Sequence, residues 1–186
     1  MKLITLRGGY DSNFTYILHN GKECCVLDPA VSSQEIFNVI EQAGLVLQFV
    51  VILHSHFDHI VELEAYRRRG IPIYGHESTK VEVQRRLREG EVLEFDGVEL
   101  TVLHTPGHRY DAICLRSGKK LFTSDTLFVN GYGRVDFAGS DPKLMEKSLK
   151  RLFCLGDDVV IYPGHDYGDT PTCTIAEVRD LIREDH

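Results

Sequence analysis

His54-Ser55-His56-Phe57-Asp58-His59 places four side chains able to bind a metal within six residues. They follow directly on the apolar run Phe49-Val50-Val51-Ile52-Leu53, which reads as a buried strand. Side chains alternate along an extended chain, so His54, His56 and Asp58 start on one face and His59 must point elsewhere. Such a split suits two adjacent metal ions. Three histidines and an aspartate packed side by side would otherwise need costly polar partners.

Three later segments repeat the design of apolar strand, sharp turn and ligand. Val98–Leu103 leads into Thr105-Pro106-Gly107-His108, Leu121-Phe122-Thr123-Ser124 into Asp125, and Val159-Val160-Ile161-Tyr162 into Pro163-Gly164-His165. Proline presets a bend, and glycine permits dihedrals and close approach denied to other residues. The histidine can then be aimed back over the strand ends, where sites in α/β proteins commonly lie. His54, His56 and His108 can form a three-imidazole site, Asp58, His59 and His165 a second, and Asp125 can bridge them through its two oxygens. Imidazole suits zinc and iron, and mixed His/Asp ligation suits a hydrolytic centre with an open position. Two ions about 3.5–4 Å apart can hold a hydroxide between them. His19, His76, His104 and His186 read as ordinary core or surface histidines.

The elements that must position these ligands follow from pattern. Strands are expected at Leu3–Leu6, Thr15–Leu18 and Cys24–Leu27, with a turn at Asn20-Gly21. Ser32-Ser33-Gln34-Glu35 is a capping box for a helix whose stripe is Ile36, Val39, Ile40 and Ala43, stopped by Gly44. A short helix from about Ile60 to Arg69, a strand at Pro72–Tyr74 and a helix at Ser78–Arg88 come next. Glu91–Phe95 and Val98–Leu103 form a hairpin around Asp96-Gly97, and Ala112–Leu115 and Lys120–Phe122 another around Ser117-Gly118. Asp141-Pro142 opens a helix, Val159–Tyr162 is a strand, and Thr174-Ile175-Ala176-Glu177 caps the last helix. The pattern is an α/β one, two sheets with helices outside, in a single domain over residues 1–186.

Bulk properties narrow the function. The 186 residues carry a net charge of −7, which argues against nucleic acid as a main partner. No apolar run reaches about 18 residues, and the start lacks a signal-peptide pattern, so a cytoplasmic protein without membrane contact is expected. Cys24, Cys25, Cys114, Cys154 and Cys173 form no Cys-x-x-Cys pair and read as reduced residues, Cys24 and Cys25 facing opposite sides of a strand. The basic runs Arg67-Arg68-Arg69 and Arg85-Arg86-Leu87-Arg88 read as solvated helix faces paired with nearby glutamates.

These residues resemble the metallo-β-lactamase superfamily, whose signature is His-x-His-x-Asp-His followed by later His, Asp and His ligands. All seven positions are filled, at His54, His56, Asp58, His59, His108, Asp125 and His165. The resemblance implies a four-layer αββα sandwich with the metals at one edge of the two sheets. Thr105-Pro106-Gly107-His108, Phe122–Phe128, Gly133-Arg134-Val135-Asp136-Phe137, Tyr162-Pro163-Gly164-His165 and the tail at Thr174–Arg179 are most similar to the glyoxalase II-like hydrolases. Two features depart from that branch: Val61-Glu62 stands where a Gly pair is frequent, and Arg109-Tyr110-Asp111 where small residues and a proline are usual. The larger glyoxalase II enzymes also carry a helical C-terminal domain that helps hold glutathione, and this chain has room for one final helix after His165.

The expected activity is hydrolysis of a small-molecule thioester or similar ester. Two divalent ions are implied, zinc first, with iron or manganese as alternatives. A metal-bridging hydroxide attacks the carbonyl, the second-site metal stabilises the oxyanion, and Asp58 orients the nucleophile and takes its proton. A thiolate leaves without a dedicated acid. Arg134, Tyr132 and Tyr167 lie close to ligands in sequence and are candidate substrate contacts. Two alternatives stand beside this reading. One is a persulfide dioxygenase with a single iron on His54, His108 and Asp125; the other is a metal-binding module without catalysis. The oligomeric state is open.

Overall fold

The computed structural model describes residues 1–184; His186 lies outside them. The first half runs β1 (Lys2–Gly8), β2 (Asn13–His19), β3 (Glu23–Leu27), α1 (Ser33–Gln42), β4 (Val46–Val51), a 3-10 turn at Phe57–His59, α2 (Leu63–Arg68), β5 (Ile73–His76) and β6 (Arg85–Leu87). The second runs β7 (Val92–Phe95), β8 (Val98–His104), β9 (Ile113–Ser117), β10 (Lys120–Ser124), β11 (Leu127–Phe128), β12 (Gly131–Tyr132), α3 (Pro142–Phe153), β13 (Val160–Pro163), β14 (Cys173–Thr174) and α4 (Ile175–Glu184). Strands β1 to β6 form one six-stranded sheet in chain order. The other six-stranded sheet has the order β14-β13-β10-β9-β8-β7, and β11 pairs with β12 alone.

Period-two patterning makes the layers. In β2 and β3, Tyr16, Leu18, Cys25 and Leu27 face the opposite sheet and join Leu100, Val102, Leu115 and Phe122 in the central core. The alternate residues Ile17, Cys24 and Val26 face outward and meet Ile36, Phe37 and Ile40 of α1 and Leu63 and Tyr66 of α2. Cys24 and Cys25 do point to opposite faces. On the other side, Cys114, Leu121 and Ile161 pack against Met145, Leu149 and Leu152 of α3 and Val178 of α4. The architecture is αββα, with helices outside both sheets. Among the described residues no helix is long and apolar enough to cross a membrane.

The caps behave as the sequence predicts. Ser32 Oγ accepts from Glu35 N at 3.3 Å, Asp141 Oδ1 from Lys143 N and Leu144 N at 2.8 and 3.1 Å, and Thr174 and Glu177 cap each other reciprocally. The expected helix at Ser78–Arg88 is absent; Arg85–Leu87 is instead the edge strand β6, parallel to β5. Leu87 alone of this strand enters the central core, while Val81 and Val83 in the preceding loop pack on the outer side of the sheet. Exposed Arg85 and Arg86 give this edge the charge that discourages further pairing. Arg85 and Arg88 pair with Glu91 and Glu77.

The helix expected from Ile60 begins only at Leu63, because Glu62 adopts φ 54°, a left-handed conformation. That backbone is what a glycine would supply at little cost. Glu62 meets the cost with its side chain, accepting from Ser33 N and Oγ at 2.8 and 2.6 Å and so tying the start of α2 to that of α1. The hydroxyl and amide donors of Ser33 hold the Glu62 carboxyl below its usual pKa of 4.5. A carboxylate with a depressed folded pKa stabilises the fold above its unfolded value, and the gain disappears as pH falls through the folded pKa. Glu62→Gln is therefore expected to lose less than about 1 kcal/mol at pH 7, small because the group is solvent-screened. The gap between wild type and variant in urea unfolding should narrow as pH falls below the ordinary glutamate pKa of 4.5 and on through the depressed folded value.

Candidate metal centre

Five strand ends converge. Asp28 follows β3, His54 follows β4, His108 follows β8, Asp125 follows β10 and His165 follows β13. The 3-10 turn at Phe57–His59 reverses the chain after His56, so Asp58 and His59 swing away from His54 and His56. One ligand atom each from His54, His56, His108 and Asp125 falls within 4.8 Å of the others, and the same holds for Asp58, His59 and His165. Asp125 reaches both groups. Its Oδ2 lies 3.9 Å from His54 Nε2 and 3.6 Å from His108 Nε2, and its Oδ1 lies 3.3 Å from His59 Nε2.

The Pro-Gly turns work by two different means. Gly107 has φ 152°, and a Cβ there would stand 2.4 Å from Met145 Cα, so the loop backs directly onto α3. Ser148 Oγ and Ser140 Oγ fasten it by donating to the carbonyls of Pro106 and His108, both at 2.7 Å. At Gly164 the constraint is proximity: a Cβ would meet Asp125 Oδ1 at 2.2 Å and His59 Cε1 at 2.8 Å. Tyr16 Oη holds this second turn through the Pro163 carbonyl at 2.7 Å.

The ring tautomers are set by neighbours. His108 Nδ1 donates to the Arg134 carbonyl and His165 Nδ1 to the Asp11 carbonyl, each at 2.8 Å. His59 Nδ1 donates to Asp28 Oδ2 at 3.1 Å. Ser124 Oγ gives its hydrogen to Asp28 at 2.5 Å and so accepts from His54 Nδ1 at 3.1 Å. In four histidines the proton is thus drawn to Nδ1, which turns an Nε2 lone pair to the centre. His56 presents Nδ1 instead, 2.8 Å from His108 Nε2.

The sequence reading missed Asp28, Asn13 and Asp11, which serve this support. Asp28 also groups with His54 and His59 as a possible ligand. Its oxygens are already taken, however, by Leu53 N at 2.7 Å, Ser124 Oγ and His59 Nδ1, so it orients rather than ligates. Buried Asn13 donates from Nδ2 to Asp58 Oδ2 at 2.9 Å. The signal for Asp28 was the same one that marked the ligands, an acidic residue directly after an apolar strand and before a proline.

The donor set fits a cation. His54 Nε2 and Asp125 Oδ1 are buried without a hydrogen-bond partner. His56 Nδ1 and His108 Nε2 converge at 2.8 Å and the Nε2 atoms of His59 and His165 at 3.1 Å, close sets of ring nitrogens of the kind a metal ion gathers. Burial opposes charge on His59, yet the carboxylates of Asp125 and Asp28 outweigh it and raise its pKa. Burial likewise opposes ionisation of Asp125, but His59 and His165 hold its pKa well below the usual range. Burial and the neighbouring His59 keep His54 neutral, as a ligand must be.

The centre opens into a cleft of about 480 Å³. Its walls include Tyr10, Phe57, Phe128, Arg134, Phe137 and Tyr167. Tyr167 stacks on His165 with centroids 4.7 Å apart and donates to Asp11 Oδ2 at 2.6 Å. Tyr132 lines a different groove, beside Met145, Leu149 and Ile182. His76 and His104 stack on each other at 3.8 Å and belong to none of the ligand groups among the described residues.

Comparison with known proteins agrees with this arrangement. The family model described as the metallo-beta-lactamase superfamily matches residues 7–165. A hydroxyacylglutathione hydrolase from Photobacterium profundum is 32% identical over 162 residues, 85% of this chain and 63% of the relative, so the chain spans about three fifths of its length. The crystal structure of ETHE1 from Myxococcus xanthus superposes with a TM-score of 0.86 at 29% identity, covering 95% of this chain and 81% of that one. TTHA1623 in a di-iron-bound form gives 0.82 at 25% identity, covering 96% and 98%.

Proposed function

Because the chain belongs to the metallo-β-lactamase superfamily, we propose that it is a binuclear metallohydrolase that cleaves a thioester. The observation that carries this reading is a pair of ligand groups joined by Asp125 and opening into one cleft. His54, His56 and His108 would hold one divalent ion, Asp58, His59 and His165 the other, with Asp125 shared. Zinc is the default for such a set, with iron or manganese as alternatives; the likeness to a protein that binds two irons supports the count of two. The name hydroxyacylglutathione hydrolase carried by relatives supports an acyl-thiol substrate.

Bound divalent ions supply Lewis acidity and a water acidified to near neutrality. Asp58, on the cleft wall and held by Asn13, orients that water and receives its proton. Addition of the water oxygen to the thioester carbonyl forms a C–O bond. The C–S bond then breaks with its electron pair on sulfur, and the thiolate takes up the proton held by Asp58 through solvent, giving a carboxylic acid and a thiol. Thiolates leave without protonation, so no further acid is required. Arg134 and Tyr167 line the cleft wall, where they would contact the substrate. The five free cysteines support a reducing compartment, the cytoplasm, as its location.

A second reading, oxygenation of a persulfide by one iron, is favoured by one observation. His54, His108 and Asp125 make a two-His, one-carboxylate set within the larger group, the donor set of non-haem iron oxygenases. Metal counting on protein purified without added metal, with thiol release and oxygen consumption assayed in parallel, separates the two. Two ions per chain and thiol release from acyl thioesters are expected. One iron with oxygen uptake on a persulfide would replace the first reading by the second, and a metal-replete protein inert in both assays would leave only a binding module.

A further inference from the structure

The walls of the cleft carry more information than its metals. Tyr10, in the turn between β1 and β2, is 72% exposed, and Phe57, inside the metal motif, is 70% exposed. Their rings meet edge to face at 5.2 Å, outside any core cluster. Across the cleft, exposed Phe137 turns its ring edgewise to the His56 ring at 5.7 Å. An apolar rim this exposed beside a reaction centre gains by being covered.

The charges around the rim point the same way. Arg134 supplies the only guanidinium or ammonium among the described residues lining the cleft. Both its Nε and its Nη2 donate to Asp136, at 2.9 and 2.6 Å, and its Cζ sits 4.3 Å over the Phe137 ring. This exposed bidentate pair gives the cation a competing carboxylate of the same chain. Asp11 adds a further negative group to the wall, where it accepts from Tyr167. A thiol carrier bearing free carboxylates would meet Asp11 and an arginine it must share with Asp136. Selectivity of this kind comes from repulsion as much as from attraction.

We infer that the cleft selects uncharged acyl-thiol substrates whose aromatic or branched apolar group packs against Tyr10, Phe57 and Phe137, and that it disfavours carboxylate-bearing carriers such as glutathione. The inference rests on the hydrolytic reading above and narrows its substrate class. The probes are the phenylacetyl thioester of N-acetylcysteamine, uncharged with an aromatic acyl group, and the lactoyl thioester of glutathione, anionic with a small acyl group.

With the metal-replete protein, kcat/KM for the phenylacetyl thioester should exceed that for the glutathione thioester by about tenfold or more. Phe57→Ala should raise KM for the aromatic probe about tenfold and narrow the preference. Asp136→Asn should free Arg134 and lower KM for the glutathione thioester about threefold. A wild-type preference for the glutathione thioester overturns the inference while leaving the hydrolase intact. If neither thioester is cleaved, the hydrolytic reading fails, and calorimetric titration with uncleavable thioethers still decides the selectivity. Tighter binding of S-methylglutathione than of S-benzyl-N-acetylcysteamine overturns it; the reverse order supports it.

Discussion

Asp58→Asn is expected to lower kcat for thioester hydrolysis by about 10²–10⁴-fold while leaving the fold in place. The exchange keeps volume and shape but removes the negative charge and the basic lone pairs. Asp58 Oδ2 now accepts from Asn13 Nδ2 at 2.9 Å. An asparagine satisfies that donor with its carbonyl oxygen and turns its own amide toward the cleft, where it can no longer take a proton. The side chain is 16% exposed and caps no regular element, so unfolding free energy should shift by less than about 1 kcal/mol.

Asp58 sits in a ligand group with His59 and His165, so a weaker second ion could also slow the reaction. Titrating metal into the variant separates the two effects. If the loss reflects only ligation, saturating metal restores wild-type kcat; if Asp58 is the base, kcat stays low with both sites filled. Wild-type turnover by the fully loaded variant would remove Asp58 from that role.

The residues of the two His/Asp groups are legible because each is announced twice, by residue type and by a strand-turn context. Asp58 shows the limit of such reading. Alternation along an extended chain would put His54, His56 and Asp58 together, yet β4 ends at Val51 and the 3-10 turn sends Asp58 to the other group. Periodicity describes regular elements and loses its hold where the chain leaves them. The misread helix at Ser78–Arg88 has a different origin: a short strand of charged residues on a sheet edge shows only Leu87 to the core. Tyr132 was a candidate by proximity in sequence, but the two-residue strand that carries it turns the side chain into the groove beside α3.

The supporting residues were harder to find, since orienting contacts leave no spacing rule. Asp28 is held at φ 46° by its place between β3 and Pro29, and nothing in its local sequence states that His59, Ser124 and Leu53 will converge on it. Those partners lie 25 to 96 residues away in the chain. Only the assembled sheets bring them within hydrogen-bond reach.

That convergence gives Asp28 a large expected effect, and two variants divide it. Asp28→Ala leaves the buried Leu53 amide without its acceptor, which costs about 1–3 kcal/mol, and forces alanine into a left-handed backbone. Asp28→Asn avoids both penalties, because asparagine tolerates that backbone and its oxygen can still accept from Leu53. What it cannot supply is a second acceptor. Its amide nitrogen would face His59 Nδ1, which must then give up its proton and accept. The proton moves to Nε2, the nitrogen aimed at the centre, and blocks ligation there. Asp28→Asn should therefore fold near normally yet bind metal at the Asp58–His59–His165 group about 10–100-fold more weakly. Competition with a chelator measures the affinity, and long-range nitrogen–proton NMR of the imidazoles reports the tautomer. Unchanged affinity with His59 still protonated at Nδ1 would show that the ring is oriented by its ligands alone.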